Sequence, residues 1–225
     1  MVKTIAPYTV RGVIWYQGES DDEHADVYDE AMGAVINSWR RLWKGDLPFL
    51  MVQLAPYEGW MGMMAQNYVL IREKQEQLSK TKKAVYITNV MDAGIRTDIH
   101  PKQKKPVGER LALLAMGKVY GEDILCEAPE VSETKKTDKE VMITFSHTGE
   151  GLYQDREDIE SLEVIINGNS ISDVIMTVDH DHMILEHDAF DKNKAITIRY
   201  GKRNYCECNI KNSAGIPIKP FTISM

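Results

Sequence analysis

The sequence predicts a two-part α/β chain. A parallel sheet with helices occupies residues 1–120, and an antiparallel β-domain occupies residues 121–225. Three observations carry this. Short apolar blocks alternate with helical periodicity through the first half, the order of a parallel sheet with crossover helices. From about Val131, short strands separated by turn residues take over. Between them, Glu127 to Asp138 is polar and charged, as a domain boundary is.

The first element is Val13-Ile14-Trp15-Tyr16, an apolar block ending in Gln17-Gly18-Glu19. It reads as a buried parallel strand with a polar carboxyl end. Tyr28, Met32, Val35, Ile36, Trp39, Leu42 and Trp43 follow at spacings that fill one helical face. Ser20 and Glu23 have the spacing of a capping box at the start of that helix. Phe49 to Leu54 is a second strand, stopped by Pro56. Residues 64–79 read as a helix with a polar outer face, and Ala84 to Val90 as a third strand. A loop over 91–105 leads into a helix over Pro106 to Lys118, with proline early, where its missing N–H is harmless. In the second half the strands are Val141–Phe145, Leu162–Ile166, Ile171–Val178, Met183–Leu185 and Ala195–Tyr200. Asn167-Gly168-Asn169 and Asp179 to Asp181 are the turns. Together they predict a sandwich or half-sandwich.

Composition sets limits on function. Apolar residues are 43% and charged residues 27%, enough for a buried core. The charge sum is 27 − 34 = −7, which argues against nucleic-acid and anionic-membrane partners. No run approaches 18 apolar residues, and the first 20 residues lack the apolar stretch of a signal peptide. Cys126, Cys206 and Cys208 are too few and too unevenly placed for a disulfide framework or a zinc site.

In an open parallel sheet, ligands bind beyond the carboxyl ends of the strands. Two polar clusters fall there: Gln17 to Asp21 after the first strand, and Asp92 to His100 after the third. His100 is the better candidate base, because it sits in a loop at that edge beside Asp98. A carboxylate near an imidazole fixes its tautomer and stabilises the imidazolium of acyl transfer. The same residues also read as a solvated helix start, and their spacing alone leaves both readings open.

Two longer segments carry a resemblance. VRGVIWYQGESD and TDIHPKQKKPVGERLALLAMGKVYG are similar to the paired motifs of the sialate O-acetylesterase-like family of SGNH hydrolases. Pro7-Tyr8, Leu70 to Gln75, and the stretches Ile198 to Gly201 and Ser213 to Phe221 resemble the same family in the same order. The resemblance implies a flavodoxin-like sheet, a serine-esterase mechanism without cofactor or metal, and an O-acetylated sugar or polysaccharide as substrate. It implies His100 as general base, Asp98 as its orienting acid, and Gln17 as an oxyanion donor. Many SGNH enzymes place the acid three residues before the histidine, where Thr97 stands here, so a backbone carbonyl or Asp92 is the alternative orienting group. Gly18 would let the backbone turn close to substrate. Glu19 reads as a buried structural acid, and Asp21 stands where the family usually has asparagine.

The family's nucleophile belongs to a G-x-S-x segment well ahead of the W-Y-Q-G-E motif. Only about twelve residues precede that motif here, and no serine has that setting; Ser20 is explained by capping. The expectation is therefore the C-terminal portion of an esterase, weak or inactive alone, prone to self-association or to pairing with a missing N-terminal half. The alternative is a noncatalytic remnant or carbohydrate-binding fragment. Families of this kind are often secreted or periplasmic.

Other conspicuous residues have plainer readings. Asp179-His180-Asp181-His182, with His187 beyond, is a solvated hairpin rather than a metal cluster. Trp39 and Trp43 lie on the apolar helix stripe. Trp60 follows the second strand in an apolar, glycine-containing loop and is a candidate wall of a sugar cleft. Lys102, Lys104 and Lys105 form a solvated basic run. Cys206 and Cys208 would share one strand face and read as ordinary thiols.

Overall fold

The computed structural model describes residues 2–225. The chain divides into two compact units, one ending at Glu127 and one running Ala128–Met225.

The first unit opens with a short helix α1 (Val2–Ile5) and strand β1 (Val13–Trp15). A 3-10 stretch (Glu19–Val27) leads into α2 (Tyr28–Trp43). Then come β2 (Phe49–Val52), a small hairpin of β3 (Gly59–Trp60) and β4 (Met63–Met64), and α3 (Tyr68–Thr81). β5 (Val85–Thr88) and α4 (Lys105–Ala115) follow, with a π turn over Met116–Tyr120. The sheet order is β1-β2-β5, all parallel, with Val13 opposite Phe49 and Phe49 opposite Val85. Alternate side chains of β2 feed two cores. Phe49 and Met51 join Tyr28, Met32, Ile36, Ile71 and Leu78 of α2 and α3. Leu50 and Val52 pack instead with Leu111 and Leu114 of α4. Helices on both faces are what an apolar parallel strand requires. β1 is an edge of this sheet, and Ile14 at its centre is 69% exposed.

Local chemistry moved several expected boundaries. Ser20 makes no cap; it lies in the 3-10 stretch, and α2 starts eight residues later with no side-chain cap bond. The helix expected from residue 64 starts at Tyr68, because Met61 and Gly62, both at positive φ, turn the chain into the β3–β4 hairpin. Trp39 and Trp43 are packing residues: Trp39 lies 5.9 Å from Trp15 and 6.0 Å from Phe49, and Trp43 Nε1 donates to the Tyr8 carbonyl.

The second unit is antiparallel throughout. One four-stranded sheet has the order β10 (Asn169–Ile171), β9 (Leu162–Ile166), β13 (Ile196–Tyr200), β15 (Phe221–Ser224). The other has the order β11 (Ile175–Asp179), β12 (His182–Glu186), β7 (Glu140–Ser146), β6 (Glu130–Lys136). β8 (Leu152–Gln154) and β14 (Ile210–Asn212) form a separate pair. Phe145 of one sheet meets Phe221 of the other at 5.8 Å, and Phe221 stacks on Tyr200. β6 lies within the segment expected to be a linker. The strand expected over Ile171–Val178 is two strands, broken where Asp173 takes a positive φ. Asp179 pairs with His182 across a tight turn, so the Asp-His-Asp-His segment is a hairpin. Cys126, Cys206 and Cys208 are buried.

Candidate active site

Because β1, β2 and β5 are parallel, the segments leaving their carboxyl ends lie on one edge of the sheet. These segments hold the site candidates Gln17, Gly18, Trp60, Asp98 and His100, and contacts between the segments tie them together.

The first segment is Tyr16 to Asp22. The Gln17 carbonyl accepts from Tyr28 Oη at 3.2 Å and from Gln75 Nε2 at 3.1 Å. Gln75 Oε1 also accepts the Leu54 N–H at 3.0 Å, so one buried amide ties the first segment to the second. Gly18 has a φ of 149° and is buried; a Cβ there would meet Ile71, Gln75 and Leu54 at 3.2–3.3 Å. Its visible requirement is therefore close packing on α3. Gln17 Nε2 donates to Asp21 Oδ2 at 2.5 Å. The Asp22 carboxylate accepts the backbone N–H groups of Gln66 and Asn67 at 2.9 and 2.6 Å, just ahead of α3. Glu19 is half-buried rather than buried. Burial, reinforced by Glu19, pushes the Tyr16 phenol up to about 12, and burial does the same for Tyr28. Both phenols are therefore neutral hydrogen-bonding groups at ordinary pH.

The second segment carries the β3–β4 hairpin. Trp60 is 55% exposed, with Met61, Met63 and Met64 exposed beside it. The third segment leaves β5 and carries His100. It is pinned at three places. Arg110 of α4 reaches back and grips the Asp92 carboxylate with two bonds, 2.6 and 2.8 Å, and donates to the Asn89 carbonyl at 3.2 Å. Gly94 passes so close to Pro56 that a Cβ would lie 2.2 Å from its carbonyl oxygen. The Arg96 carbonyl accepts the N–H groups of Glu58 and Gly59, and its guanidinium pairs with Glu58 at 2.7 Å. The Trp60 hairpin and the His100 segment are thus stitched together.

His100 is exposed, and Asp98 Oδ1 accepts its backbone N–H at 2.9 Å. The carboxylate therefore shapes the turn that presents the imidazole. Asp92, the other acid considered for that role, is held by Arg110. Lys104, four residues after His100, places its ammonium 5.2 Å from the centre of the Tyr16 ring. That contact joins the third segment to the first directly beside Gln17. A separate groove of about 580 Å³, lined by Tyr8, Arg11, Trp43, Leu47 and Val119 among others, involves the segments that precede β1 and β2.

Gln75, Arg110, Arg96 and Glu58 were not singled out for roles from sequence. Gln75 had a signal: it shares a helical stripe with Ile71 and Leu78, where an amide needs partners.

Residues 1–116 match the family described as carbohydrate esterase, sialic acid-specific acetylesterase. The sialate O-acetylesterases of Homo sapiens and Pongo abelii are each 29% identical over 143 residues, covering 54% of this chain and 27% of theirs. The chain thus spans about a quarter of the length of these relatives. A carbohydrate acetylesterase from Xanthomonas citri superposes with a TM-score of 0.80 at 29% identity, over 97% of this chain and 51% of that one. With the family match covering 116 of 225 residues, in the unit that holds the strand-edge segments, the chain belongs to the sialic acid-specific acetylesterase family of carbohydrate esterases.

Proposed function

We propose that this chain supplies the base and oxyanion side of a carbohydrate O-acetylesterase site, with the nucleophilic serine contributed from outside these 225 residues. The observation that carries the reading is the joining of the Gln17 and His100 segments through Lys104 and Tyr16 at the carboxyl edge of the sheet. In this reading His100 takes the serine's proton as it attacks the acetyl carbonyl, gives it to the departing sugar oxygen as the acetyl C–O bond breaks, and then activates water against the acetyl-serine. Asp98 shapes the turn carrying His100. Gln17 donates an amide N–H to the alkoxide that develops, where a neutral donor is the right chemistry. Gly18 allows the turn that presents Gln17, and Trp60 offers an apolar face to the sugar ring. The substrate is an O-acetylated sugar or polysaccharide. The partner is a segment that pairs with the open edge of β1, where Ile14 is exposed.

Acetate release from an O-acetylated sialic acid and from acetylated xylan tests this. It is measured for the chain alone and mixed with the half of the Xanthomonas citri enzyme that this chain does not match. Release in the mixture, abolished by His100→Ala and lowered about 100- to 1000-fold by Gln17→Ala, supports the assignment. Robust turnover by the chain alone that Ser20→Ala abolishes would overturn it.

A further inference from the structure

Gln17 is held at both ends. Its backbone carbonyl is fixed by Tyr28 and Gln75, and its carboxamide nitrogen donates to Asp21 Oδ2. An ionised carboxylate only accepts hydrogen bonds, so the amide nitrogen rather than the amide oxygen must face it. This fixes the flip of the carboxamide, and it engages one of the two N–H groups. Asp21 is itself placed by a turn: its backbone N–H donates to the Gly18 carbonyl at 3.0 Å. The chain enters that turn through Gly18, whose φ of 149° is a conformation few other residues adopt.

We propose that Asp21 is the positioning residue for Gln17: its carboxylate takes one amide N–H and so presents the other to the carbonyl oxygen of a bound acetyl ester. The inference rests on the esterase reading above. The gain is preorganisation. A carboxamide already locked in place needs no reorganisation as negative charge builds on the ester oxygen. A free glutamine would lose rotamer freedom at that moment, and its amide would present oxygen as readily as nitrogen. The neutral amide also stands between the carboxylate and the developing alkoxide, which Asp21 would repel if it faced the alkoxide directly.

The test is side-chain amide NMR on the ¹⁵N-labelled chain, with titration of an O-acetylated sialic acid and an O-acetylated xylo-oligosaccharide. Gln17→Ala identifies the Gln17 NH₂ pair. Asp21→Ala should move that pair to the shifts of exposed glutamines and weaken binding of whichever probe the wild type takes by about 10-fold, the scale of one hydrogen bond. Asp21→Asn, whose side-chain oxygen still accepts, should restore both the shifts and the affinity to within about 3-fold, with Glu23→Ala as a neutral control. An Asp21→Ala protein with wild-type Gln17 signals or wild-type affinity overturns the proposal and leaves the esterase reading standing. A wild-type chain that binds neither probe removes the esterase reading, and the role of Asp21 falls with it.

Discussion

Replacing Arg110 by alanine tests what holds the His100 segment in place. The Arg110 and Asp92 side chains are 6% and 5% exposed, so the pair sits away from water. Removing the guanidinium deletes a two-bond ion pair and leaves a buried carboxylate without its counter-charge. Breaking a buried pair in this way costs about 3–5 kcal/mol, because the remaining charge keeps its desolvation penalty. The bond to the Asn89 carbonyl is lost as well, adding about 1 kcal/mol. Against a typical domain stability of about 5–15 kcal/mol, the first unit should be brought near its unfolding threshold. Urea unfolding of Arg110→Ala, Asp92→Ala and the double variant gives the cycle. The double variant should be less destabilised than the sum of the singles by about 2 kcal/mol or more, since both singles remove one interaction. Arg110→Lys keeps the charge but not the fork, and should fall between wild type and alanine. A single Arg110→Ala that costs under about 1 kcal/mol would show that this clamp does not hold the segment.

Two further outcomes follow from the same geometry. Gly94→Ala puts a methyl group against the Pro56 carbonyl, so the His100 segment must shift; hydrogen exchange at Glu58 and Gly59, which donate to Arg96, should accelerate, and unchanged protection would refute the close approach. In the second unit, burial raises the Asp158 carboxyl above its ordinary value despite bonds from Tyr200, Asn209 and Ser161. A group with a raised folded-state pKa contributes stability that is full below its unfolded value, about 4, and is lost as pH rises through the folded value. Subtracting the unfolding free energy of Asp158→Asn from that of wild type should therefore give a difference that falls as pH rises from about 4 and levels off above the folded-state value; a flat difference contradicts it.

The three parallel strands were legible because Val-Ile-Trp, Phe-Leu-Met-Val and Val-Tyr-Ile-Thr are apolar blocks, but only β2 is buried along its whole length, and β1, expected to be buried, is a sheet edge with Ile14 exposed. The apolar stripe of α2 was legible for the same reason, since burial there is set by 3.6-residue spacing. What failed was punctuation. Met61-Gly62 is a turn whose left-handed backbone no hydrophobic pattern displays, so the hairpin was absorbed into α3. Ser20 and Glu23 matched a capping box in spacing, but the acidic stretch around them follows a 3-10 path anchored by Asp22 to Gln66 and Asn67. Those partners lie more than 40 residues away, beyond the reach of a local motif. The site shows the same division. Gln17 and His100 stand on segments the parallel order sends to one edge, which strand order alone predicts. That Asp98 meets the backbone of His100, and that Asp92 belongs to Arg110, depends on how the loop folds back on α4.

The central claim is that the segments after β1, β2 and β5 form one acetyl-sugar site. Backbone and side-chain NMR titration with an O-acetylated sialic acid and an O-acetylated xylo-oligosaccharide tests it most directly. One of them should shift the signals of Gln17, Gly18, Trp60 and His100 together along a single binding curve, while Tyr8 and Leu47 in the groove that involves the segments before β1 and β2 stay unmoved. Shifts centred on that groove, or Gln17 and His100 responding with different affinities, would contradict it.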